Sequence, residues 1–179
     1  MAISDYKVID DFLVGPSALS DTQSKQQFPL GIRARAVNFS ATGSAASPQY
    51  AEFIYAQGSN IASAGQFAHI VNGSAVLLAS ANSASYLPIG VAAGVLGATS
   101  QYGWVQVKGY CDYAKGTNSA VAQGVAMYLG ATAGQLASNV AIGSKVQGVY
   151  VPVSYTSSQS QSFTVLLNEP YVQGVTASQ

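Results

Sequence analysis

Charge is what this chain most lacks. Only 8% of its 179 residues are Asp, Glu, Lys or Arg, seven of each sign, where about a quarter is usual in a globular protein. A surface so sparsely and evenly charged does not draw nucleic-acid phosphates or an anionic membrane by bulk electrostatics, so neither partner is expected. It also does little to hold copies of the molecule apart, which favours assembly. A single cysteine, Cys111, excludes an intrachain disulfide framework. A single histidine, His69, has no Cys or carboxylate cluster around it in the sequence, so no zinc pattern is present. P-loop, Gly-x-Gly-x-x-Gly and Gly-x-Ser-x-Gly signatures are missing too, and no catalytic residue, metal or cofactor is expected. The longest apolar stretch, "LPIGVAAGVLGA" (87–98), is broken by glycine and falls short of the about 20 residues of a membrane-spanning helix. The opening "MAISDYKVIDDFLVG" lacks the basic and apolar regions of a signal peptide, so a soluble chain not exported by that route is expected.

What the chain does have is alternation. "IRARAVNF" (32–39), "YAEFIYAQG" (50–58), "QFAHIVNG" (66–73), "AVLLAS" (75–80), "YGWVQVKGYC" (102–111), "VQGVYVPV" (146–153) and "SFTVLLNEPYV" (162–172) carry apolar residues with period two between Gly, Ser and Asn breaks. No stretch shows the spacing of an amphipathic helix. The pattern predicts an all-β fold, a barrel or sandwich of many short antiparallel strands. Residues 1–30 alternate poorly and hold four of the five aspartates, Asp5, Asp10, Asp11 and Asp21. They are expected to form an extended N-terminal arm, with 31–179 a single β domain. The polar stretch "SATGSAASPQ" (40–49) is expected to be a loop.

Individual side chains read modestly. Cys111 lies in phase with Val105 and Val107, as a small buried hydrophobe would. His69 falls on the side of Phe67 and Val71 and is expected to be packed. Glu52 and Glu169 are the only glutamates, and a glycosidase pair would need them about 5–10 Å apart; solvated carboxylates are the plainer expectation. Arg33 and Arg35 share one strand face, either solvated or turned to a carboxylate-bearing partner. The stretch "SQYGWVQVKG" (100–109) puts Val105 and Val107 on one side and Tyr102, Trp104, Gln106 and Lys108 on the other. Its tryptophan therefore needs something to pack against besides the valine face.

Taken in order, "FPLGIRARAVNF…AEFIYAQG…AGQFAHI" (28–70), "IGVAAGVLGATSQYGWVQVKG" (89–109), "GVAMYLGATAGQL" (124–136) and "VLLNEPYV" (165–172) resemble small structural proteins of tailed bacteriophages, in particular the capsid decoration, or cement, proteins. The resemblance covers residues 28–172; the loop at 40–49 and the low charge depart from it. It implies an all-β virion protein without enzymatic activity, assembled in the host cytoplasm and carried on the capsid surface between capsomers. The partners it implies are two further copies, as a homotrimer, and the major capsid protein. A trimer would make Tyr102, Trp104 and Gln106 interface residues, and packing within one chain is the alternative for the same three. Capsid contact would fall to Tyr6, Asp10, Asp11 and Phe12 of the arm, outside the region of resemblance, and to Arg33 and Arg35. Three rival readings stand beside this one. The eleven tyrosines suit a carbohydrate- or receptor-binding virion module, His69 with a serine a hydrolase, and the same fold another head or tail component.

Overall fold

The alternating stretches become strands, and two short strands that the pattern did not mark, β1 and β9, join them: β1 (Tyr6–Val8), β2 (Arg33–Asn38), β3 (Gln49–Ser59), β4 (Phe67–Val71), β5 (Ser74–Leu77), β6 (Ile89–Ala92), β7 (Tyr102–Lys115), β8 (Met127–Leu129), β9 (Leu136–Ala137), β10 (Lys145–Tyr150) and β11 (Ser162–Val172). The computed structural model describes residues 6–10, 19–38, 49–78, 88–117, 120–138, 145–156 and 162–173, and contains no helix among them. The fold is all-β. The strands form one sheet in the order β1-β2-β3-β5-β4-β6-β7-β11-β10-β8-β9, and β3 pairs additionally with β7. That extra pairing closes β3, β5, β4, β6 and β7 into a five-stranded barrel. The pairing of β3 with β5 is parallel; the other strand pairs are antiparallel.

A five-stranded barrel has little interior room, and the sequence fills it with small residues. Ala56, Ala68, Ala75 and Ala92 pack inside with Ile70, Val105 and Val107. Space is so short that a Cβ on Gly58 would lie 2.2 Å from the Cβ of Leu96. The outside of the barrel is also buried, in two places. On one wall Phe53, Tyr55 and Trp104 are covered by Tyr6, Leu19, Ala34 and Ala36. On the other, Phe67, Ile89 and Val91 meet Met127, Leu136, Phe163, Val165 and Leu167. The barrel strands therefore lie between apolar layers, and β7 runs through all of them.

This arrangement corrects two expectations. Trp104 is only 3% exposed in a single chain, with its ring 5.1 Å from that of Tyr55 and 5.6 Å from that of Phe28. Gln106 is fully buried, and Tyr102 is half-buried against Tyr55. The chain itself thus covers Trp104 and Gln106, which have no surface left to anchor a trimer. The second correction concerns residues 1–30. Tyr6–Val8 is the outermost strand of the sheet, Leu19 is buried and Gln23 bridges to Tyr102. The described part of this segment is a piece of the β domain, because it supplies the lid for Phe53, Tyr55 and Trp104. Asp11, Phe12 and residues 40–48 lie outside the described residues.

Candidate binding groove

The even-numbered side chains of β3 change surroundings along the strand. Ile54 and Ala56 belong to the barrel layer, whereas Tyr50 and Glu52, past the barrel's end, face outward. The change coincides with a bulge. Phe53 pairs with Gln106, but Glu52 pairs with Lys108, so Val107 is an extra residue on β7. Gln106 and Lys108, two apart, consequently go to opposite sides, one buried and one exposed.

Gln106 is the polar plug of this bulge. Its Nε2 donates to the carbonyl oxygens of Tyr110 at 2.7 Å and Lys108 at 3.2 Å, and its Oε1 accepts from the Tyr113 hydroxyl at 2.7 Å. A buried amide so fully paired carries no desolvation debt. Between those two carbonyls lies Gly109, at φ 90°, where a Cβ would stand 2.0 Å from the Tyr50 carbonyl oxygen. Only glycine permits β7 to approach β3 so closely.

Strand register then builds an open face. Arg35, Glu52, Lys108 and Asn168 are successive cross-strand partners on β2, β3, β7 and β11, forming a polar row. One step along, Ala51, Gly109 and Leu167 are partners; Ala51 and Leu167 turn inward, leaving backbone as a floor. Beyond the floor come Tyr50, 64% exposed, and Leu166, which is itself paired with Tyr110 and Tyr150. The two rows bound a groove of about 430 Å³.

Charge gathers here. Of the seven acidic and seven basic side chains, three of each meet around the groove. Arg33 Nη1 lies 3.3 Å from Glu52 Oε2 and 2.7 Å from Glu169 Oε1, and Lys108 Nζ lies 3.6 Å from Glu52 Oε1. Arg35 holds Asp10 through Nε at 3.0 Å and Nη2 at 2.8 Å, and its backbone N–H donates to the same carboxylate. Burial pushes the Asp10 carboxyl up, but these hydrogen bonds outweigh it and hold the group below the usual carboxylate range. Glu169 stands at φ 46°, directly before Pro170. A left-handed conformation costs a residue other than glycine roughly 1–2 kcal/mol, so the backbone is held there by its surroundings. Opposite it, β10 changes register around Gly148.

The residues singled out from the sequence fare differently. Arg33 and Arg35 do share an outward face, with Ala34 and Ala36 buried opposite, yet each guanidinium already has a carboxylate of its own chain. Tyr6 is not available for capsid contact. It is buried, packs edge-on to Phe53 with centroids 5.9 Å apart, and donates its hydroxyl to the Tyr110 carbonyl at 2.8 Å. Glu52 and Glu169 do come together, and Arg33 Nη1 contacts both. Cys111 is wholly buried, and burial pushes its thiol far above the ordinary range, which keeps it neutral and unreactive. His69 is half-buried in register with Val76 and Ile89, and burial lowers its pKa. Among the described residues no group of three or more His, Cys, Asp or Glu is placed to hold a metal.

Tyr50, Lys108, Leu166 and Asn168 did not stand out in the sequence. The one local signal was the glycine after Lys108, which interrupts the alternation of β7. No family model, curated protein or solved structure matches the chain.

Proposed function

We propose that this chain is a capsid decoration protein of a tailed bacteriophage, binding the outer shell between capsomers as a homotrimer and reinforcing it. What supports the reading is where the resembling segments fall. They supply β2, β6 and β8, most of β3, β4 and β11, and the first part of β7, which belong to the structural frame of the molecule. The functional part of such a protein is its body. It acts as a binding scaffold, and no reaction is assigned to it.

A protein that binds the expanded shell better than the precursor stabilises the expanded state by mass action. Three linked copies engage several coat subunits at once and gain avidity. With Tyr6 buried and both arginines paired within the chain, coat recognition rests on shape and neutral polar contacts spread over the three copies.

Two measurements test this. Light scattering coupled to gel filtration should give about three chain masses, as a closed cyclic assembly requires. Co-sedimentation should retain the protein on expanded shells and not on precursor shells. Equal retention on both, or on neither, would remove the reading.

A further inference from the structure

We propose that the groove between the polar row and Tyr50 is a binding site for neutral carbohydrate. The inference goes beyond the decoration reading and does not depend on it. Four observations choose this ligand class over others. First, Tyr50 presents a largely exposed ring at the groove wall, a surface on which the C–H face of a sugar ring stacks. Second, the facing wall supplies both kinds of hydrogen-bonding group: Glu52 accepts, Lys108 donates, and the exposed amide of Asn168 does both. Hydroxyl groups, each donor and acceptor, match such a wall. Third, the charged side chains that line the groove are already paired within the chain, Arg35 with Asp10 and Lys108 with Glu52, which also holds Arg33. A phosphate, a sialylated glycan or a polycation would have to break these ion pairs to gain one of its own, whereas a neutral ligand would not. Fourth, the floor strands are already paired with one another at Ala51, Gly109 and Leu167. An extended peptide therefore has no free strand edge to join.

The size agrees. About 430 Å³ lies in the range of small-molecule sites. The groove is also pre-formed, since Gly109 and the Gln106 plug fix β7 against β3 beneath it. Preorganised polar groups lose little on binding.

The test is an array of neutral and acidic glycans probed with the purified full chain, followed by NMR titration with the neutral glycans retained. Neutral glycans should bind, and the amides of Ala51, Gly109 and Asn168 should shift. Tyr50→Ala should weaken binding about tenfold, while Tyr171→Ala, an exposed tyrosine outside the groove, should bind as the unaltered protein does. Both side chains are exposed, so the fold should survive either change. Retention of no glycan, retention of acidic glycans alone, or full binding by Tyr50→Ala would overturn the assignment. Shell co-sedimentation of Tyr50→Ala separates the two proposals: the decoration reading expects it unchanged whatever the array shows.

Discussion

Changing Gln106 to leucine keeps much of its bulk but takes a hydrogen-bond partner from three polar groups. The Lys108 carbonyl and the Tyr113 hydroxyl each lose one, as does the Tyr110 carbonyl, to which Tyr6 still donates. Unsatisfied buried groups cost about 1–3 kcal/mol each, so urea denaturation should show a loss of roughly 2–4 kcal/mol. Trp104→Ala opens a cavity against Tyr55 and Phe28 and should cost about 3–5 kcal/mol. Its mass by light scattering should not change, because no neighbouring copy touches a side chain that the chain itself buries. Asp10 sets a pH dependence. Its folded pKa lies below the unfolded value, so its contribution is full above the unfolded pKa of about 4 and fades as the pH falls through the lowered folded value. Acid should therefore release the link between β1 and β2, seen as shifts of the Ile9 and Arg35 amides, and Asp10→Asn should abolish that dependence. At this scale the sequence was partly legible. Alternation correctly separated Trp104 from Val105, but it assigns faces without saying what lies beyond each face. Trp104 looked like an interface residue because the layer that covers it comes from Tyr6, Leu19 and Phe28, a segment with weak alternation of its own.

Elements were easier to read than their joints. The longer strands followed from period-two stretches, since half-buried pleated segments require them, while the two- and three-residue strands β9 and β1 did not. The bulge at Val107 and the register change at Gly148 left no comparable trace, because an extra residue is visible only against its partner strand. The first shapes the groove by turning Lys108 outward, and the second sits opposite Glu169 beside it. Glu169→Gly tests the second. Relief of the left-handed backbone should outweigh the loss of an exposed ion pair with Arg33, which is worth at most about 1 kcal/mol. A net gain of up to roughly 1 kcal/mol is expected in urea denaturation. A net loss would mean that Arg33 depends on Glu169 more than an exposed pair normally does.

For the whole molecule, shared strands should mean shared fate. β7 contributes Val105 and Val107 to the barrel layer, Trp104 to one outer layer and Cys111 to the other. Loss of any layer exposes a face of the same strand. Tryptophan fluorescence and far-UV circular dichroism should therefore report a single coincident unfolding transition. Under the proposed decoration role, the scarcity and internal pairing of charge should make shell binding insensitive to salt. Raising ionic strength from about 0.05 to about 0.5 M shortens the Debye length, but shell retention should change little.

The closed barrel has a further consequence, in the order of synthesis. β3 is made well before β7, yet β7 is the strand that covers much of its length. A growing chain that has passed Ser59 and not reached Tyr102 carries Phe53 and Tyr55 on one side of β3 and Ile54 and Ala56 on the other. Their partners on β7, from Tyr102 to Gly109, have not yet been translated. Nascent chains of this length are sticky intermediates, and a fragment ending before Tyr102 should collect in inclusion bodies while the full chain stays in solution. The strand that completes the interior also closes this interval of exposure.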